Sequence, residues 1–207
     1  MRQHLGRVAG TAAAVLVAAG AITCAVAGDD GASTTPSADS ADAGFARDMA
    51  VHHQQAVEMS YVVRDRTDDE EVRRLAYDIA QTQANQRGML LGWLDLWALP
   101  KVSSDAPMTW MGMGDMPSAG DGSLMPGMAT DAEMKKLEGL DGRRAEVFFL
   151  QLMTDHHKGG VHMAEGCVDK CAVGVEKRLA QDMVNGQRSE IELMKDMLEE
   201  RGAKPRA

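Results

Sequence analysis

The sequence predicts an all-α fold, a four-helix bundle made of two tandem helical hairpins, and three observations predict it. Aromatic residues make up only 4% of the 207-residue chain while hydrophobic residues reach 44%, a balance that leans toward helices and supplies a real core. Apolar residues recur in alternating steps of four and three, the period of one helix face. The second half also repeats the first at one constant offset of 104 residues. Phe45 answers to Phe149, Met49 to Met153, His52 to His156, His53 to His157, Val57 to Val161 and Met59 to Met163. The register continues without a gap through Leu75 and Leu179, Asp78 and Asp182, Gln83 and Gln187, and Leu94 and Leu198. A match of that length is a duplicated hairpin rather than a short motif, and two hairpins make a bundle with approximate twofold symmetry.

Taken in order, residues 1–27 carry two arginines, an Ala- and Val-rich apolar run and then small residues, the layout of a signal peptide. The protein is expected to be exported, secreted or held at the cell surface. "AVA" at 25–27 suits ordinary cleavage, and Cys24 is a candidate for lipidation behind a poor lipobox of Ala21, Ile22 and Thr23. Contact with a membrane is expected only through this N-terminus. Residues 28–43 are small and polar without periodicity and read as a flexible tether.

The bundle is expected over 44–203, with repeat 1 at about 44–99, a linker at 100–129 and repeat 2 at about 130–203. The first helix presents Phe45, Met49, His52, Ala56, Met59 and Val63 as one stripe. A second, from about Asp68 to Leu99, opens on the acidic run "TDDEE", stops at Pro100 and carries Leu75, Ile79, Gln83, Gln86, Leu90, Trp93 and Trp97. Residues 100–129 lose all periodicity and fill with Gly, Pro, Asp and Met, as a loop does. Thr130 and Glu133 have capping-box spacing for a short helix to about Leu140. Helices at about Arg143–Cys167 and Val173–Arg201 complete the chain.

The formal charge is −9, and −11 once Arg2 and Arg7 leave with the signal peptide. Such acidity argues against nucleic acid as a partner and favours cations. On a helix Met49 lies one turn before His52 and His53, and Met153 repeats this before His156 and His157, so thioether and imidazole share a face. Imidazole with thioether is a copper donor set, the soft sulfur favouring copper(I) and also suiting silver or another soft metal; zinc more usually asks for cysteine or carboxylate beside histidine. Met59 and Met163, two turns further along, join the candidate ligands. Packing methionines and satisfied core histidines are the structural alternative, but two imidazoles in the centre of each stripe need polar partners when buried. Gln83 and Gln187 interrupt the partner stripes at matching positions and are candidates to hold the second ring nitrogen of a histidine. His162 stands in the second repeat alone, as an extra ligand or a surface residue.

The linker adds Met108, Met111, Met113, Met116, Met125 and Met128. In so glycine-rich a segment they are expected to be exposed, a flexible wrap for a soft ion, with Asp105, Asp115 and Asp121 available to a harder one. A hydrophobic lid folded onto the bundle is the competing reading. Cys167 and Cys171 sit between the last two helices and are expected to form a disulfide in an oxidising compartment, a thiolate metal site being the alternative.

The segments "MAVHHQQAVEMS" and "MTDHHKGGVHMA", each followed by "LA" and a Gln-bearing helix, resemble the family called domain of unknown function 305. The similarity covers roughly 43–100 and 130–203. The resemblance implies an exported helical protein grouped with ferritin-like bundles, and copper binding through His and Met. It places Met49, His52, His53, Met59, Met153, His156, His157 and Met163 at the family's motif positions. The second copy departs by carrying Gly159 and Gly160 against Gln55 and Ala56, a change expected to loosen that helix.

No Glu-x-x-His di-iron motif, nucleophile motif, phosphate loop or zinc-protease signature is present. The reading is therefore a non-enzymatic copper protein that sequesters, buffers or passes on the ion, with a copper-transfer protein as partner. A metal-dependent redox enzyme acting on copper(I) or an organic substrate, and a structural surface domain without metal, are the alternatives.

Overall fold

The computed structural model describes residues 35–115 and 120–206. The expected signal peptide, Cys24, residues 28–34 of the expected tether and Met116 lie outside the described residues. Within them the protein is all-helical, with α1 (Ala41–Arg64), α2 (Glu70–Leu96), α3 (Asp131–Glu138), α4 (Gly142–Lys170), α5 (Gly174–Glu200) and one 3-10 turn at Thr109–Met111.

Local chemistry sets most of the ends. The Ser40 hydroxyl accepts the Ala43 N–H at 3.2 Å and starts α1, within the stretch expected to be tether, so the helix begins earlier than the periodicity suggests. Asp69 accepts the Val72 N–H at 2.9 Å and, with Glu70 and Glu71 in the first turn, opens α2. Its helix ends at Leu96, short of the expected Leu99, because Ala98 turns to a left-handed φ of 53°. Thr130 and Glu133 close a reciprocal capping box on α3. Helices α4 and α5 fall within a few residues of the expected spans.

Helix α1 packs along α2, α4 along α5, and α1 against α4. Phe45, Met49 and Ala50 share a buried cluster with Met163, Ala164 and Cys167. Met59 and Val63 share another with Phe149, Leu152 and Met153. The N-terminal half of α1 thus lies beside the C-terminal half of α4, so the two helices run antiparallel and cross near their histidines.

The same approximate twofold governs the turns. Asp42 on α1 accepts the backbone N–H groups of Ala172 (2.9 Å) and Val173 (2.7 Å), holding the chain as it enters α5. Glu146, its counterpart on α4, accepts the Thr67 hydroxyl at 2.6 Å and Arg201 at 2.9 Å, holding the chain as it enters α2. Each hairpin turn is therefore fastened by a carboxylate from the first helix of the other hairpin. The Cys167–Cys171 disulfide closes the second turn as well, where the first has Val63 and Thr67.

The linker departs most from expectation. Met108, Met125 and Met128 are buried in the cluster that holds Met49 and Met163, and Met111 and Met113 pack against it. Instead of an exposed wrap, the described part of the linker is a strap folded onto α1 and α4. Asp48 accepts the Met108 N–H at 2.8 Å and the Trp110 indole N–H at 2.9 Å. Glycines make the seats: a Cβ at Gly44 would overlap Trp110, one at Gly166 would overlap Met111, and one at Gly159 would overlap the Pro126 carbonyl. Burying thioethers on helical surfaces stripped of side chains gains apolar contact that a solvated loop forgoes.

Candidate metal centre

The crossing of α1 and α4 places all four paired histidines inside the protein. His52, His53, His156 and His157 are each 0–1% exposed, and the His52 and His156 rings lie against each other, tilted by 32°, with centroids 3.8 Å apart. Adjacent histidines on one helix point about 100° apart, so the first of each pair faces its counterpart across the crossing and the second faces the other helix of its own hairpin. His53 Nε2 lies 2.9 Å from Gln86 Oε1 on α2, and His157 Nε2 lies 2.7 Å from Glu190 Oε2 on α5. His156 Nε2 lies 3.0 Å from the His52 carbonyl, and His52 Nε2 3.3 Å from the Pro126 carbonyl of the strap.

Every one of those partners is an oxygen acceptor, so each Nε2 carries the hydrogen and donates it. The tautomer follows: each Nδ1 is left with a bare lone pair. All four Nδ1 atoms are buried and have no hydrogen-bond partner, an arrangement that ordinary cores avoid. On His52, His53 and His156 a proton does not settle there. Burial pulls His52 and His53 down to about 3 from the usual 6.5, and pulls His156 well below its usual value, with neighbouring imidazoles adding to each shift. Those three rings are neutral at ordinary pH and free to donate to a Lewis acid.

Thioethers lie on both sides of the histidines. Met49, Met108, Met125, Met128, Met163 and Met183 share one core cluster, and Met59, Met153, Met194 and Met197 the other. The structure therefore layers Met49 with Met163 and Met59 with Met153, across the helix pair. A cleft of about 670 Å³ opens beside the strap, lined by Met108, Met113, Met125, Met128, Asp155 and Arg206. Pro126, whose carbonyl meets His52, lines it too.

Two expectations need correction. Gln83 and Gln187 are buried, but neither bonds a histidine; both Gln83 polar atoms and Gln187 Oε1 are unpartnered. The partners are instead Gln86 and Glu190, one turn further along, also 104 apart. Gln86 stood in the predicted stripe, so the signal was present; the register between helices chose it. Gly159 and Gly160 do not loosen α4, which is helical throughout, but are notches, Gly160 receiving Gln187 Oε1. The counterpart of Gly159, Gln55, clamps the strap by donating to the Ala129 carbonyl (2.9 Å) and accepting its N–H (2.7 Å).

His162 is exposed, away from the buried set. Asp105, Asp115 and Asp121 lie at the surface of the strap. The four histidines do not bring three ligand atoms within 4.8 Å of one another; among the described residues Cys167, Cys171 and Glu176 do. The disulfide has already consumed those sulfurs, so that trio serves as a joint rather than a metal centre.

A profile of the family described as Domain of unknown function (DUF305) matches residues 42–198. The chain belongs to that family. Among solved structures it is similar to a DUF305 protein of Streptomyces coelicolor whose name includes the word "secreted". That match has 77% identity and a TM-score of 0.77, covering 83% of this chain and 99% of the other. A DUF305 fragment from Deinococcus radiodurans matches at 30% identity and a TM-score of 0.62, over 76% of this chain and 94% of that one. CopM in its Cu(I)-bound form matches at 22% identity and a TM-score of 0.59, over 77% and 96%, a likeness of fold. CopM is also known in Cu(II)- and Ag-bound forms. No curated protein matches the chain.

Proposed function

We propose that this DUF305 protein is an exported, non-enzymatic copper-binding protein that sequesters, buffers or hands on the ion, with copper(I) favoured and silver accepted as a soft substitute. The observation that carries the reading is the set of four buried imidazoles whose Nδ1 lone pairs all lack a partner. The chemistry of the donor set fits: neutral imidazole binds either oxidation state of copper, and thioethers add preference for the softer one. His52, His53, His156 and His157 would hold the ion, with Met49, Met59, Met153 and Met163 as the adjoining sulfurs. The metal-bound forms of CopM, which shares the fold, support metal binding as the purpose of that interior. We read the four long helices as a ferritin-like four-helix bundle, and the strap methionines as its thioether-rich cover facing the cleft. Export agrees with the leader at residues 1–27 and with the designation of the Streptomyces relative. No helix among the described residues is long and apolar enough to cross a membrane.

The test is a copper(I) titration against a chromophoric competing chelator. A variant with Met108, Met111, Met113, Met125 and Met128 changed to Leu is expected to keep at least part of the tight binding. Replacing His52, His53, His156 and His157 by Asn together is expected to abolish it. Unchanged affinity and stoichiometry in a folded histidine variant would return these residues to a structural role. Should the quadruple variant not fold, the single changes His53→Asn and His157→Asn carry the same test.

A further inference from the structure

The two repeats present the same imidazole to different partners. His53 donates from Nε2 to the neutral amide oxygen of Gln86, and His157, 104 residues on, donates to the carboxylate of Glu190. The geometry is otherwise matched: both rings are fully buried, both have an unpartnered Nδ1, and both partners lie one turn beyond a buried glutamine of the second helix. The side chain of Glu190 is 27% exposed and pairs with His157. Among the partners of these two matched rings, the difference is one exchange of amide for carboxylate.

That exchange has a chemical consequence. A carboxylate accepting the Nε2–H makes the imidazole a stronger donor through Nδ1 and fixes its orientation. It also brings a negative charge within one ring's width of that lone pair, in an interior where charges interact strongly. A divalent ion gains more from both effects than a monovalent one. An amide partner orients the ring equally well but adds no charge, which leaves the His53 half suited to a soft monovalent ion.

We propose that the two half-sites differ in the oxidation state they favour: the His157–Glu190 half takes copper(II), the His53–Gln86 half takes copper(I), and Glu190 is the positioning residue that sets the difference. This rests on the metal-binding reading above.

The experiment measures equilibrium affinities for copper(I) and copper(II) with separate competing chelators, and the reduction potential of the bound copper, in the wild type, Glu190→Gln and Gln86→Glu. Removing an outer partner of a ligating histidine costs about 10- to 100-fold in affinity. Glu190→Gln is expected to lose about that much for copper(II) while copper(I) affinity moves less than about threefold. For a one-electron couple this raises the potential by about 60–120 mV. Gln86→Glu is expected to strengthen copper(II) binding and lower the potential. Equal weakening of both ions in Glu190→Gln, or no change in either, overturns the assignment while leaving copper binding intact. If the wild type binds neither ion, it is the metal reading that fails, and the assignment with it. Glu190 is partly exposed and the change isosteric, so both variants are expected to fold.

Discussion

The first and second hairpins carry the same helical pattern, yet at four matched positions their chemistry differs. At 55 and 159 an amide clamp faces a glycine notch, both holding the strap. At 86 and 190 an amide faces a carboxylate, both holding an imidazole. At 67 and 171 a threonine hydroxyl faces a disulfide, both closing a turn. At 72 and 176 a valine faces a buried glutamate. A duplicated fold preserves where a side chain points, because helix period and register fix that; it does not preserve what the side chain is. Of the four, the 55/159 pair is the one that meets the strap, which has no second copy.

The largest effect is expected at the glycine notch. Gly159→Ala would drive a Cβ into the Pro126 backbone, and overpacking of a closed contact costs about 1–3 kcal/mol even after the helix gains about 1 kcal/mol from losing glycine. Gly88→Ala on α2, where a Cβ meets nothing, is expected to stabilise by about 0.5–1 kcal/mol. Urea unfolding of the two variants compares them directly; a Gly159→Ala protein as stable as wild type would mean the strap does not seat there.

The amide clamp in the first hairpin is expected to matter somewhat less. Gln55→Ala leaves the Ala129 N–H and carbonyl without partners in the interior, at about 1–3 kcal/mol. Because the strap also carries the Pro126 carbonyl that meets His52, hydrogen exchange at Ala129 should accelerate together with the loss of stability. Exchange that stays as slow as in the wild type would show that the strap is held without Gln55.

A gentler asymmetry is readable in pH. Burial, with the Asp42 carboxylate nearby, pushes Glu176 up to about 9. The folded protein therefore keeps a proton that the unfolded chain releases near 4.5, so stability is fullest below that value and declines as pH climbs toward 9. The slope is at most about 1.4 kcal/mol per pH unit. Glu176→Gln is expected to flatten this part of the profile, and a profile with the same slope in both proteins would remove Glu176 as its source. The first hairpin, with Val72 at the matched position, contributes no such term.

Much of this was legible in the residues. The helices follow from local periodicity, the α3 start from a capping box four residues long, and the kinship of the halves from one constant offset. The four histidines could be named because imidazoles in the middle of apolar stripes are conspicuous. What the residues could not show is which neighbour each imidazole meets. Gln83 and Gln86 occupy the same stripe one turn apart, and only the register between α1 and α2 selects the second. The strap was equally out of reach: glycine-rich composition describes a flexible chain when taken alone, and Gly159 and Gly160 look like weak points in a helix. Their role depends on surfaces brought together from more than 30 residues away, Pro126 against Gly159 and Ala129 against Gln55. The sequence by itself determined the elements, the duplication and the donor chemistry, because these depend on side chains a few residues apart. The tertiary structure decided the tautomers, the asymmetry of the halves and the burial of the linker, because each is a matter of long-range contact.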